Sequence, residues 1–358
     1  MTHLMKCYVV LMVLILSLSV NNVANAQDED RIIEALPQHI QDRITAYENS
    51  LLLVERRDPD STFDLVTSRR RWQRGATLTV AFRGGDASLR REIAAVAAEW
   101  SRHCNIKFNF GAGSAFREWS PSDTSYKANI RISFDGEGCW SLVGTECKNP
   151  QKSPPSEASM NFEGFDDPSS RPRNWKAIVL HEFGHALGLY HEHQHPDGTC
   201  TNSFRWDDDP NYERTVRGSQ LGEDAQGRRP GIFTVLKAPP YEWEHSKIVR
   251  NLGQLPPGLA YYNGSFDRNS IMKYFWPAWM FKEGTASPCY SERNDKLSDK
   301  DKERIKQMYS FDDDPQSLIT DRALRLERNV LSSVLLRPDL SIEVREGLQS
   351  RLEVLPTR

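Results

Sequence analysis

His181-Glu182-Phe183-Gly184-His185-Ala186-Leu187-Gly188-Leu189-Tyr190-His191-Glu192 forms the pattern HExxHxxGxxHE, and the rest of the chain can be read outward from it. Residues four apart on a helix stand one above the other, so His181 and His185 present both imidazoles to one point. Gly188 can take a positive φ, which ends a helix and lets His191 return toward that point from another direction. Three neutral imidazoles leave one coordination position open, as a catalytic zinc ion requires and a closed structural one does not. Glu182 is poorly placed to be a further ligand but close enough to take a proton from a water in the open position. HExxH alone also fits an amphipathic helix with two surface histidines; the added Gly188 and His191 make the longer pattern specific. The expectation is one catalytic Zn2+ held by His181, His185 and His191, with Glu182 as general base.

The chain has 358 residues, 38% hydrophobic and 27% charged, with a formal net charge of -3. That describes a polar-surfaced globular protein large enough for one big domain or two. The charge favours no polyanion partner, so no nucleic acid is expected. Lys6, the apolar run from Tyr8 to Val20 and Ala24-Asn25-Ala26 read as a secretory signal peptide over 1–26. An uncleaved membrane anchor is the alternative, but the run is short for a bilayer. A secreted, periplasmic or extracellular protein follows, without stable membrane insertion once the signal is cleaved. Of six cysteines, Cys7 lies in the leader; Cys104, Cys139, Cys147, Cys200 and Cys289 remain, an odd number, and disulfides are expected among them.

Segment 27–70 carries Ile32, Ile33, Leu36, Ile40, Ile44 and Tyr47 at helical spacing, interrupted at Pro37. It reads either as a pro-segment or as a helical extension packed on the next domain. Arg69-Arg70-Arg71 is either a processing site or a solvated charge run. The segment has no cysteine, so a thiol cannot cover the metal; Asp58, Asp60 or Asp64 could.

From Trp72 the pattern becomes strand, helix, strands: Ala76 to Phe82, a turn at Gly84-Gly85, a helix from Ser88 to Cys104, then strands at Ile106 to Phe110, Asn129 to Phe134, Cys139 to Val143 and Ala158 to Phe162. A mixed sheet results, followed by the zinc helix from Trp175 to Leu187. Between Asp197 and Leu259 loops dominate, with Tyr212 to Arg217 and Tyr241 to Leu252 as the best helical candidates. His193 and His195 follow the turn too closely to circle back, and are assigned surface or hydrogen-bonding roles. A helix opens after Ser298 and runs over Asp299 to Tyr309, and the tail 312–358 reads as one or two amphipathic helices.

The later stretch Ser270-Ile271-Met272-Lys273-Tyr274, paired with HExxHxxGxxHE, resembles the astacin-type metzincin metallopeptidases. Trp72, Glu99-Trp100 with Cys104, Gly138-Cys139-Trp140-Ser141, and Leu297-Ser298 with Asp301 extend the resemblance over Trp72 to Tyr309. It implies an α+β fold: a metzincin-like catalytic domain over 71–311, in which a mixed twisted sheet and the zinc helix lie above an irregular lower subdomain. It implies Met272 as an apolar floor beneath the metal and Tyr274 as a hinged phenol that ligates zinc at rest and hydrogen-bonds the oxyanion during attack. An extended protein or peptide substrate would pair with an edge strand at Trp140 to Val143. The family's long-range disulfide corresponds to Cys104 with Cys289; Cys139 with Cys147 fits a short loop, leaving Cys200 unassigned. Two departures stand out. Lys273 occupies a place where the family usually has histidine, and Glu192, which in the family receives a freshly cut N-terminus, follows an atypical N-terminal segment. The implied activity is a secreted zinc endopeptidase; the alternative is a weak or inactive zinc-containing protein that holds peptides.

Overall fold

A computed structural model of the chain describes residues 36–57, 70–112, 115–217, 220–239, 241–255, 265–313 and 315–357. The expected signal peptide, Cys7, Asp58, Asp60, Asp64 and Arg69 lie outside them.

Helix α1 (Gln38–Arg57) begins directly after Pro37, whose missing N–H suits a helix start. Strand β1 (Thr77–Phe82) buries Leu78, Val80, Ala81 and Phe82, and the turn beyond it delivers Asp86 as N-cap of α2 (Ala87–Ser101). The Asp86 carboxylate accepts the N–H groups of Ser88 and Leu89, each at 2.8 Å, satisfying donors that a helix start leaves open. The remaining upper strands are β2 (Lys107–Asn109), the short antiparallel pair β3 (Gly111–Ala112) and β4 (Ala115–Phe116), β5 (Ile130–Ser133), β6 (Cys139–Ser141) and β7 (Met160–Phe162).

Five of these form one sheet in the order β2-β1-β5-β7-β6. β1 runs parallel to β2 and β5, and β5 parallel to β7; β6 alone is antiparallel, and it occupies an edge. The stretch expected at an edge, Trp140 to Val143, thus overlaps a strand that lies there. Helix α3 (Trp175–Ala186) carries the metal motif and packs on α2, where the Trp100 indole N–H donates to the carbonyl of Leu180 at 2.9 Å. Phe183 of α3 meets Phe108 edge-on at 5.0 Å. Burying such large apolar side chains stabilises the pair of layers by about 2 kcal/mol each.

The lower half is irregular, as expected, and holds α4 (Cys200–Ser203), the hairpin β8 (Thr215–Arg217) and β9 (Gln220–Gly222), α5 (Ile232–Lys237) and α6 (His245–Leu252). The helical reading of Tyr212 to Arg217 is corrected: Thr215–Arg217 is a strand, because its β-branched residues find a hairpin partner in Gln220–Gly222. The disulfide expectation is corrected as well. Cys289 bonds Cys200, their Cα atoms 5.1 Å apart, while Cys104 is a buried thiol in the upper core. The sulfur of Cys147 is likewise buried and not part of a disulfide.

Helix α7 (Asp299–Met308) closes the lower half, and α8 (Pro315–Val334) and α9 (Ile342–Glu353) follow. Tyr47 and Leu51 of α1 share a second small core with Leu324, Leu331, Val344 and Leu348 of these two helices. The first helix and the last two are thus one structural unit despite their separation in sequence. Among the described residues no helix is long and apolar enough to cross a membrane.

Candidate active site

Helix α3 places His181 and His185 one turn apart, and the chain leaves it through Leu187 and then Gly188 at φ +99°. That value lies in the region where glycine is favoured, and the turn it makes brings His191 back as the sequence predicts. The Nε2 atom of His185 lies 3.1 Å from that of His181 and 3.0 Å from that of His191. Nδ1 of His181 contacts the carbonyl of Ile271 at 2.7 Å, and Nδ1 of His185 contacts the carbonyl of Leu189 at 2.8 Å. A carbonyl can only accept, so both Nδ1 atoms carry the proton and both Nε2 atoms present lone pairs. Burial pushes His181 down to about 4 and holds His185 and His191 well below the usual imidazole range, which keeps all three neutral.

The group fits zinc. Bonds of about 2.0–2.1 Å in a tetrahedral site require nitrogens about 3.3 Å apart, and both separations from His185, 3.1 and 3.0 Å, lie close to that. His181, His185 and His191 are the one cluster of metal-binding geometry among the described residues.

Glu182 is fully buried on the same helix, one residue past the first histidine. Tyr274 lies over the cluster, its ring centroid 5.0 Å from that of His181 and 4.4 Å from that of His191. Met272 packs beneath: a Cβ on Gly184 would stand 2.3 Å from its sulfur, so glycine is what lets the methionine turn approach the helix. Residues 90 positions apart in sequence thus meet at one site.

His193 and His195 are not among the converging nitrogens, although the His193 ring stacks on that of His191 with centroids 5.2 Å apart. Both are buried, which corrects the surface reading, and hydrogen bonds account for them. His193 Nε2 donates to the carbonyl of Asn251 at 2.8 Å, and His195 Nδ1 accepts the N–H of Asp197 at 3.0 Å. Lys273 is buried too, donating to Ser291 Oγ at 2.8 Å and to the carbonyl of Tyr274 at 3.2 Å. Burial, and then the charge of Arg268, push its amine down to about 7.

Sequence reading missed Arg304. Its guanidinium closes on Glu192, donating Nη2 to Oε1 at 3.0 Å and Nη1 to Oε2, while the N–H of Asp267 donates to Oε1 at 2.5 Å. The carboxylate after the third histidine therefore has a side-chain cation inside the fold. No local pattern marks Arg304, because its partner is 112 residues away.

Comparison with known proteins agrees with this geometry. Residues 65–208 match the family model Astacin (Peptidase family M12A). The chain is similar to zinc metalloproteinase nas-2 of Caenorhabditis elegans, 34% identical over 82 residues, and to zinc metalloproteinase dpy-31 of Haemonchus contortus, 27% identical over 179 residues. These stretches are 23% and 50% of this chain, and each spans 27% of the relative's length. Among solved structures, myroilysin is 29% identical with a TM-score of 0.51, the similarity covering 69% of this chain and 98% of that one. With the mixed sheet, the motif-bearing helix and the methionine turn in one arrangement, the chain is similar to the astacin-like metallopeptidases, and residues 65–208 carry the match to that family.

Proposed function

We propose that the protein is an exported zinc-dependent endopeptidase that hydrolyses peptide bonds in proteins or peptides. The convergence of three neutral imidazoles, with Nε2 of His185 3.1 Å from that of His181 and 3.0 Å from that of His191, beside the buried carboxylate of Glu182, carries this reading. His181, His185 and His191 would hold one ion. Bound zinc would act as a Lewis acid, polarising the scissile carbonyl and lowering the pKa of water. Glu182 takes the proton of the attacking water and passes it to the leaving amine, a transfer that its place beside the first ligand favours. Tyr274, stacked over the histidines, donates its hydroxyl to the developing oxyanion. The open edge of β6 receives the extended substrate through backbone hydrogen bonds.

Export is supported by the leader pattern over 1–26 and by the Cys200–Cys289 disulfide, a bond favoured in oxidising compartments.

Digestion of an unfolded protein by wild type and by Glu182→Ala, with zinc content measured in parallel, tests the assignment. Wild type should cleave and the variant should retain zinc while losing cleavage by several orders of magnitude. Equal cleavage by the two would overturn the role of Glu182, and zinc binding without any cleavage by wild type would favour a peptide-holding protein.

A further inference from the structure

Residues Arg70 to Trp72 run behind the turn that carries the third histidine. Arg70 pairs through Nε with Glu146 at 2.8 Å, through Nη2 with Glu48 of α1 at 3.0 Å, and donates Nη1 to the hydroxyl of Tyr190. Its guanidinium carbon also stands 5.4 Å from the centre of the Tyr190 ring. Tyr190 is the neighbour of His191. The Arg70 carbonyl accepts the N–H of Thr145 at 3.0 Å. Two residues on, the Trp72 indole donates to the carbonyl of Ala186 at 2.8 Å, and its backbone N–H donates to the Tyr309 hydroxyl, which in turn donates to the carbonyl of Leu187 at 2.8 Å. The turn from Ala186 to Tyr190 is therefore held from behind at three points.

Helix α1, which supplies Glu48, is itself fixed on several sides. Arg43 forms a two-pronged pair with Glu157, at 2.9 and 2.5 Å. Thr45 accepts from Arg250 of α6 at 2.7 Å. Tyr47 and Leu51 sit in the second core. From α9, Arg351 donates to the carbonyl of Arg71 at 2.8 Å and pairs with Glu327 of α8. The Arg70–Glu146–Lys152 group is largely withdrawn from water, with side-chain exposures of 19%, 8% and 5%, so solvent screening weakens it little.

We infer that α1 and the Arg70–Trp72 linker are a permanent brace of the metal site and not a detachable pro-segment, with Arg70 as a positioning residue that fixes Tyr190 and, through it, His191. This rests on the metallopeptidase reading, since the brace is argued toward the zinc-holding turn. The segment that carries α1 is built into the fold from several sides at once. It contributes Glu48 to a charged network, two residues to a hydrophobic core, and joins the chain at a point where Arg70 and Trp72 both grip the zinc turn.

The test is zinc affinity, measured by competition with a chromophoric chelator, for wild type, Arg70→Gln, Tyr190→Phe and the double variant, with far-ultraviolet circular dichroism to establish that each is folded. Each single change should weaken zinc binding roughly tenfold, as loss of a partner behind a ligand does. The double change should add little, because both break the same contact. A folded Arg70→Gln that binds zinc like wild type overturns the positioning role. The intact mass of the exported protein decides the rest: an N-terminus before Gln38 supports the brace, and one at or after Arg70 overturns it, whether or not the variants fold. Absence of zinc binding by wild type would instead sink the metallopeptidase reading itself.

Discussion

Asp301 and Ser270 join the closing helix to the methionine turn: the Ser270 hydroxyl donates to Asp301 Oδ1 at 2.5 Å, while Oδ2 accepts the N–H of Ile271 at 2.8 Å and of Ser298 at 2.9 Å. The carbonyl of Ile271 in turn accepts from His181 Nδ1. One buried carboxylate on α7 therefore sets the orientation of a candidate metal ligand through a single peptide unit. Asp301→Ala should destabilise the protein by about 3 kcal/mol, since three buried donors lose their acceptor. Zinc affinity should fall roughly tenfold. Urea unfolding and zinc titration check both, and unchanged affinity would show that the Ile271 carbonyl is held by other means.

The Tyr274 ring stacks on His181 and lies tilted against His191, which puts its role within reach of kinetics. Tyr274→Phe keeps the ring and removes only the hydroxyl. If that hydroxyl stabilises the oxyanion, kcat should drop by about 100-fold with KM nearly unchanged. Steady-state kinetics on a peptide reporter measure this, and an unaltered kcat would make Tyr274 a packing residue.

The Cys200–Cys289 bond spans 89 residues of the irregular lower half, where few regular elements restrain the chain. Cross-linking a loop of that length reduces the entropy of the unfolded chain by an amount worth about 4.6 kcal/mol. Cys289→Ser should lower stability by about that much in chemical denaturation. Cys104→Ser should leave the response of that transition to reducing agent the same as in wild type, because Cys104 lies outside the bond.

Acid should loosen the brace before it unfolds the sheet. Burial alone would raise the Glu146 carboxyl, but Arg70 and Lys152 outweigh it and hold the group below the usual carboxylate range; Glu48 and Tyr47 complete its surroundings. A folded pKa below the unfolded one contributes stability that is present above about 4.5 and is lost as pH falls through the lower folded value. Amide protection in α1, relative to intrinsic exchange at each pH, should therefore fall below about pH 4.5, and Glu146→Gln should remove that acid step. Identical acid profiles in the two proteins would show that the network does not hold α1.

Much of the upper half was legible because its signals are local. Val80, Ile130, Ile132 and Met160 lie in short apolar runs bounded by turn residues, and all four are buried in the sheet. The spacing of His181, His185, Gly188 and His191 needs only helix geometry and one positive φ to converge. The opening of a helix after Ser298 was visible in the same way, and the Ser298 hydroxyl accepts the N–H of Asp301 at 2.9 Å. The hairpin at Thr215 was misread because a three-residue strand exists only through its partner.

By itself the sequence determined the metal-binding constellation and the fold that carries it, since periodicity and ligand spacing act over a few residues of backbone geometry. Only the tertiary structure decided which cysteine Cys289 bonds, that Arg304 neutralises Glu192, and that α1 packs with the last two helices behind the zinc turn. Those pairings join residues 89, 112 and roughly 300 positions apart. Which of several suitable partners they meet depends on how the whole chain closes on itself, and no local pattern records that.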